Sequence, residues 1–168
     1  MTKSAPAQGL GPLPVYDAAA KATGGLRYVA DMRLPHMLHA KVLLSTVAHA
    51  RIASIDVSRA LALPGVHAVL THENTPNIRY NSAMRFYEHN IPATERIFDD
   101  IVRFVGDRVA AVAADTQQIA ERAARLIRVE YEPLPVLLDV EQAMQEGAYP
   151  IHGNSNVVAR IQVQGGDV

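Results

Sequence analysis

Apolar and polar positions follow the same order twice along this chain. The first copy consists of residues 51–55, the polar Asp56 to Ser58, and the Ala/Leu-rich residues 59–63. The second copy consists of residues 108–112, Asp115-Thr116, and the Ala-rich residues 117–125. The first stretch of each copy predicts a strand, the polar residues predict a helix start, and the Ala-rich run predicts the helix. A further apolar strand follows each helix, at residues 67–71 and 127–131.

Two copies of a strand-helix-strand unit can close a small core together. The sequence therefore predicts an α+β domain with two β-α-β-type repeats, mixed sheets and helices packed on them. Residues 37–44 are expected to add a buried strand, and residues 27–31 a short one, after a glycine turn at residues 21–25.

The second copy carries the most detailed pattern. Residues 102–105 and 109–114 predict two strands joined by a tight turn at Gly106-Asp107. Asp115 with Gln118 three residues later predicts a capping box at the helix start. The apolar stripe of the helix consists of Ile119, Ala120, Ala123, Ala124 and Ile127. That spacing predicts an amphipathic helix with this face on the sheet.

Residues 71–101 lack any sustained period, although they contain Tyr80, Phe86 and Phe98. Connections without secondary structure are uncommon beyond about 12–15 residues, and the long ones are often functional. We therefore expect a packed surface loop that docks on another surface.

The two ends of the chain differ from its middle. Residues 1–16 are rich in Ala, Pro and Gly, which predicts a flexible arm. Residues 17–150 form the predicted domain, in which Asp139 and Gln142 mark a last short helix ending at Gly147. Residues 151–168 are expected to begin a connection to a downstream domain.

Composition excludes several classes of protein. A net charge of −1 gives no electrostatic reason to expect a nucleic acid partner. The absence of cysteine excludes disulfides and cysteine-ligated metal centres within this sequence. No apolar run reaches the roughly 18 residues of a membrane span, and no secretory signal opens the chain. We therefore expect a cytoplasmic protein without membrane contact.

Candidate chemistry is sparse. The seven histidines show no metal-ligand spacing, and His36 and His39 would point to opposite faces of a strand. No glycine-rich phosphate loop or nucleophile elbow occurs. Asp56 and Asp115 are better explained as helix caps than as acids or bases. We expect no catalytic, cofactor-binding or metal-binding residue in this chain.

The order of short motifs resembles the molybdenum-binding subunit of the xanthine dehydrogenase/aldehyde oxidase family. The matching motifs include residues 21–24 (KATG), 28–31 (YVAD), 37–40 (MLHA), 49–52 (HARI), 55–56 (ID), 63–66 (LPGV), 105–112 (VGDRVAAV) and 129–135 (VEYEPLP). The resemblance covers about residues 17 to 168. It implies an α/β-hammerhead domain, which precedes the molybdopterin-binding domains in this family.

The resemblance also implies a function for the whole protein. Family members hydroxylate purines, other nitrogen heterocycles or aldehydes with oxygen from water, and their electrons pass through iron–sulfur clusters to FAD. Molybdopterin and the catalytic base belong to downstream domains. The implied partners are those domains, together with the iron–sulfur and FAD domains or subunits. This chain itself is expected to be a structural domain that binds neither molybdenum nor flavin.

In the family, the stretch that corresponds to residues 71–101 lies toward the neighbouring domains and the route to the molybdenum site. The candidates for that route or interface are Asn77, Tyr80, Asn81, Ser82 and Phe86. A loop that merely covers the core of its own domain is an equally good interpretation. A different class of function is an independent, non-catalytic module that binds a protein or ligand through the same loop.

Overall fold

The computed structural model describes residues 15–82, 93–157 and 165–166. The described residues group into two compact units, divided between Met37 and Leu38. The first unit contains helix α1 (Ala18–Ala22) and a single 3-10 turn (Val29–Asp31). The short strand predicted at residues 27–31 is wrong. The Tyr28 amide donates to the Asp31 carboxylate at 2.9 Å, and this contact favours a helical turn over an extended strand.

The second unit contains two three-stranded sheets. Its elements are β1 (His39–Leu44), β2 (Ala50–Asp56), α2 (Ser58–Leu61), β3 (Val66–Leu70), β4 (Ile101–Val102), β5 (Arg108–Ala114), α3 (Gln117–Ala124), β6 (Arg128–Pro133) and α4 (Val140–Met144). The strand orders are β1-β5-β3 and β4-β2-β6. Within the described ranges every strand pair is antiparallel, which corrects the expectation of mixed sheets in that detail.

Each predicted repeat is present, and each one passes from one sheet to the other. The first copy runs β2-α2-β3 and the second runs β5-α3-β6. β3 pairs with β5 at Val69 and Val112, and β2 pairs with β6 at Ile52 and Tyr131. The two copies are therefore held together by exchange of strand partners.

The predicted hairpin between residues 102–105 and 109–114 is wrong. β4 pairs with β2, whereas β5 lies between β1 and β3 in the other sheet. The turn between them is closed by Asp107, whose carboxylate accepts the backbone amides of Arg103 at 3.0 Å and Arg108 at 2.8 Å. Those amides bond to a side chain rather than to a neighbouring strand, so the turn redirects the chain between sheets.

The core is built from small residues around β5 and α3. Val109, Ala110 and Val112 are completely buried, as are Ala120 and Ala123 of the helix. Such small side chains allow α3 to lie close against β1 and β5. The predicted apolar stripe of α3 is confirmed, although Ile119 at its edge is only half-buried. The strand predicted at residues 37–44 is also present but mostly exposed rather than buried, because it is an edge strand.

The loop over residues 71–101 packs against this unit where it is described. Thr71 donates its amide to the Asn74 side chain at 2.8 Å, and Asn74 donates to the Val69 carbonyl at 2.9 Å. At its other end Phe98 and Asp99 are buried. No helix within residues 15–82 and 93–157 is long and apolar enough to cross a bilayer.

The predicted helix starts required two corrections. At α2 the N-cap is Val57, which has no side-chain cap, and the Asp56 carboxylate accepts the Ser58 amide at 2.9 Å from one residue before the N-cap. The side chain of Asp139 accepts the Gln142 amide at 2.9 Å, as predicted, although α4 ends at Met144. At α3, however, the cap is Thr116, whose hydroxyl accepts the Ile119 amide at 3.2 Å. The Asp115 carboxylate instead contacts His67 Nε2 at 2.7 Å. The N-cap of α3 is therefore Thr116, one residue later than the predicted Asp115.

The shifted cap gives a direct test. Thr116→Ala should lower the free energy of unfolding by about 1 kcal/mol, because it leaves helix amides without an acceptor. Asp115→Ala should lower it by less than about 0.5 kcal/mol, since the Asp115–His67 pair is half-exposed. Urea unfolding of both variants, with Thr116→Ser as the conservative control, measures the difference. A larger loss for Asp115→Ala would reverse the assignment.

Candidate functional site

Two parts of the long loop meet where Tyr80 pairs with Glu95. Tyr80 donates its amide to the Glu95 carbonyl at 2.9 Å, and Glu95 returns its amide to the Tyr80 carbonyl at 3.0 Å. This isolated antiparallel bridge places residues 77–82, here called the 77–82 segment, beside residues 93–96. The segment contains four of the five residues predicted for a route or interface.

Side chains reinforce this bridge. The Glu95 carboxylate accepts the Ser82 amide at 2.9 Å and also the Ser82 hydroxyl. Arg108 donates to the Tyr80 hydroxyl at 3.2 Å and to the Arg96 carbonyl at 3.2 Å, and its guanidinium lies 3.7 Å from the Glu95 carboxylate. We call Tyr80, Ser82, Glu95 and Arg108 the Glu95 anchor.

The electrostatics of the Glu95 anchor favour the charged carboxylate. The hydrogen bonds from the Ser82 side chain and backbone lower the pKa of Glu95, and the positive charge of Arg108 lowers it further. Partial desolvation acts in the opposite direction but is outweighed. Glu95 therefore remains an acceptor for Ser82 at neutral pH.

A second polar group, the Asp99 cluster, lies next along the chain and consists of Arg96, Asp99, Asp100 and Arg103. Asp99 is 8% exposed and accepts from Arg96 at 3.0 Å and from Arg103 at 2.8 Å. Arg96 also reaches Asp100 at 3.4 Å. Arg103 donates to the Ile151 carbonyl at 3.0 Å, so the cluster also ties down the chain near residue 151.

The pKa of Asp99 reflects two opposed effects. Burial raises the pKa of its carboxyl, whereas hydrogen bonding with Asp100 and Arg103 and the charges of Arg103 and Arg96 lower it. The lowering effects prevail. Hydrogen bonding with Asp100 and two guanidinium groups therefore keep a buried carboxylate ionised, as expected for a buried charge with good partners.

Two cavities border these groups. The larger, of about 450 Å³, is lined by Asn77 and His72, together with Arg51 and Asp100, which form an ion pair at 3.3 Å. The smaller, of about 240 Å³, is lined by Glu95, Arg103 and His152.

Unpartnered nitrogens lie at both cavities. Among the described residues, the buried Nδ1 atoms of His72 and His152 and the buried Nε of Arg96 have no hydrogen-bond partner. Burial lowers the pKa of His152, and the nearby charges of Arg103 and Arg79 add to this effect. His152 is therefore held in its neutral form, beside the arginines of the cluster.

The structure separates the predicted site residues. Tyr80 and Ser82 are brought together by Glu95, with Tyr80 half-buried and Ser82 exposed. Asn77 is exposed and borders the larger cavity, and Asn81 is half-buried within the same segment. Phe86 lies outside the described residues.

Sequence reasoning missed the charged residues of the Glu95 anchor and the Asp99 cluster. These residues are Glu95, Arg96, Asp99, Asp100, Arg103 and Arg108. A signal was present, because opposite charges are three or four residues apart in Arg96–Asp99, Arg96–Asp100 and Asp99–Arg103. No helix covers this stretch, so the usual helical interpretation of that spacing does not apply.

The arrangement can hold a loop, donate hydrogen bonds and present a polar surface. Within the described part of the chain, no group of three or more His, Asp or Glu side chains is placed to hold a metal ion. The arginines of the Asp99 cluster already contact carboxylates of the same chain. The described groups of this surface can therefore donate and accept hydrogen bonds.

Comparison with known proteins identifies the class. The family model for the α/β hammerhead domain of aldehyde oxidase and xanthine dehydrogenase matches residues 23–135. Two antiparallel sheets that exchange strands between the repeats, with small helices, agree with this assignment. The chain belongs to the xanthine dehydrogenase/aldehyde oxidase family, as a hammerhead domain, and the predicted fold is confirmed.

Individual relatives agree with the family assignment. The chain is 40% identical over 152 residues to a subunit of a probable xanthine dehydrogenase of Bacillus subtilis, covering 90% of this chain and 20% of that protein. It is 37% identical to the nicotinate dehydrogenase large molybdopterin subunit of Eubacterium barkeri, covering 90% of this chain and 34% of that subunit. The chain thus spans between about a fifth and a third of the length of these relatives.

Solved structures show the same fold. Quinoline 2-oxidoreductase from Pseudomonas putida 86 superposes with a TM-score of 0.72 and 38% identity, over 88% of this chain and 19% of that one. Aldehyde oxidoreductase from Desulfovibrio gigas gives a TM-score of 0.72 and 36% identity, over 83% of this chain and 16% of that one.

Proposed function

We propose that this chain is the hammerhead domain of the molybdenum-binding subunit of a hydroxylase, and that its 77–82 segment borders the substrate route. The family assignment and the molybdopterin subunit among its relatives support the first part. The whole enzyme would hydroxylate a purine, a related nitrogen heterocycle or an aldehyde with oxygen from water. It would use molybdopterin, iron–sulfur clusters and FAD, and we place it in the cytoplasm.

One observation carries the proposal for the segment. The 77–82 segment is fastened to the domain by polar contacts with Glu95 and Arg108, and none of its residues is fully buried. Asn77 and Ser82 are exposed, so their polar groups are accessible to another surface or to a passing substrate. A loop that only covered its own core would bury its side chains instead.

The Asp99 cluster and the start of α3 are poor matches for molybdopterin itself. A group with a phosphate needs free arginines or a helix start with free amides. Here Arg96 and Arg103 are engaged with Asp99, and the Ile119 amide at the start of α3 is bonded to Thr116. This chain would therefore contribute structure and route residues, while other domains hold the cofactor.

An independent binding module is the weaker candidate. Such a module would account for the exposed loop, but it gives no reason for similarity over 90% of this chain to much longer proteins. Purification of the complete protein with its partners distinguishes the two functions. Molybdenum and iron in stoichiometric amounts, in a complex containing this domain, would support the hydroxylase.

The route proposal makes a prediction for Asn77. In the assembled enzyme, Asn77→Ala should raise KM by about tenfold with little change in kcat, because one exposed polar contact to the substrate is lost. The same change should alter the free energy of unfolding by less than about 0.5 kcal/mol. Steady-state kinetics with the substrate that the enzyme accepts, and urea unfolding, measure both effects.

Asn154→Ala is the matched control, since Asn154 is an exposed asparagine outside the 77–82 segment. Its KM should equal that of the unmodified enzyme. Equal KM values for Asn77→Ala and the control would remove Asn77 from the route.

A further inference from the structure

Glu95 holds the 77–82 segment through both its backbone and its side chain. The Glu95 backbone exchanges two hydrogen bonds with Tyr80, while its carboxylate accepts two from Ser82. A two-bond bridge at the surface is weak when nothing else supports it. Hydrogen bonds to a charged carboxylate are roughly twice as strong as neutral ones, so the Ser82 contacts strengthen the bridge.

The anchor is also connected to the most rigid part of the fold. Arg108 is the first residue of β5, and Val109 beside it is completely buried. The Arg108 guanidinium bonds to the Tyr80 hydroxyl and lies near the Glu95 carboxylate. Tyr80 is therefore held at its backbone by Glu95 and at its hydroxyl by Arg108, and Arg108 belongs to the central strand of its sheet.

We propose that Glu95 is a positioning residue, which fixes the backbone of Tyr80 and Ser82 so that the 77–82 segment presents one defined surface. The expected effect of Glu95 on KM for the substrate rests on the proposed function. Its expected effect on hydrogen exchange in the 77–82 segment does not. Glutamine at this position would keep one acceptor for Ser82. The glutamine would lack the negative charge and would turn its N–H₂ group toward Arg108 or Ser82. We therefore expect glutamine to hold the Tyr80 backbone less firmly than glutamate does.

The test uses the complete enzyme with Glu95→Ala, Glu95→Gln, Ser82→Ala and Glu73→Ala. Glu73 is an exposed glutamate whose contact with Thr71 uses its backbone amide, so its side chain provides the control. Hydrogen–deuterium exchange at single-amide resolution reports on the segment. The amide of Tyr80 is decisive, because its acceptor is a backbone carbonyl that remains in every variant.

We expect the Tyr80 amide to exchange at least about tenfold faster in Glu95→Ala, with a smaller increase in Glu95→Gln and none in Glu73→Ala. The amide of Val112 in β5 should be unchanged in all four, which excludes global destabilisation. In the same enzymes, KM should rise by about tenfold in Glu95→Ala while kcat stays within about twofold. In the double variant Ser82→Ala/Glu95→Ala, the exchange of the Tyr80 amide and KM should be close to those of Glu95→Ala alone, since both changes remove the same contact.

Each outcome decides a separate question. Faster exchange at Ser82 alone, with Tyr80 unchanged in Glu95→Ala, would overturn the inference, because the carboxylate would then serve only its direct partner. Faster exchange at Tyr80 with unchanged KM would support the positioning role of Glu95 and remove the segment from the substrate route. Faster exchange with raised KM supports both.

Discussion

Ala124→Asp should remove about 3–5 kcal/mol from the free energy of unfolding. Ala124 is 5% exposed on the face of α3 that lies against the sheet of β1 and β5. A carboxylate there would lose much of its hydration against the apolar face of the sheet, which is costly for a charged group. Because a domain of this size is stable by only about 5–15 kcal/mol, a large part of its stability would be lost.

Thermal and urea unfolding of the purified domain measure this effect. Gln118→Asp is the matched control, since it places the same side chain on the exposed face of the same helix. That variant should stay within about 0.5 kcal/mol of the unmodified domain. If Ala124→Asp were as stable as Gln118→Asp, the assigned packing face of α3 would be incorrect.

Asp99→Ala should be comparably destabilising, by about 3–5 kcal/mol, for an electrostatic reason. The Asp99, Arg103 and Arg96 side chains are only 10%, 12% and 19% exposed. Removing the carboxylate leaves two largely buried guanidinium groups without the partner that offsets their desolvation. The exposed Glu132→Gln provides a control for the loss of one negative charge.

The same carboxylate gives a pH dependence with a defined sign. Because the pKa of Asp99 is lowered in the folded state, its contribution to stability is complete above the unfolded-state pKa of about 3.9. That contribution is lost as the pH falls through the lower folded-state pKa. Asp99→Asn should therefore show a shallower loss of stability on acidification than the unmodified protein. Parallel acid dependences in urea unfolding would show that Asp99 contributes nothing to the transition.

The parts of the fold that sequence could predict depend on local pattern. The stripe of α3 has helical spacing, and both repeats show a strand followed by polar residues and an Ala-rich run. The partner of each strand depends instead on contacts between distant residues. An Ala/Val run such as β5 fits a hairpin or the centre of a sheet equally well, so periodicity did not distinguish the two.

The candidate site was predictable only as a region. The scarcity of regular pattern over residues 71–101 and its aromatic residues indicated a packed loop, and Phe98 is indeed buried there. The anchoring role of Glu95 could not be inferred, because it depends on Tyr80 and Ser82 returning to it across the loop. The cap at Asp115 was misplaced because Asp and Thr are both good caps and stand side by side.

The exchange of strand partners between the two copies has a consequence for the order of events during synthesis. Every described pairing joins one of β1, β2 and β3 to one of β4, β5 and β6. Neither sheet can therefore begin to form while only the first copy has left the ribosome. Three strands must wait, unpaired, until residues 101–133 emerge, and the long loop must close before any sheet contact stabilises it. In this interval the three unpaired strands expose edges that are prone to aggregation.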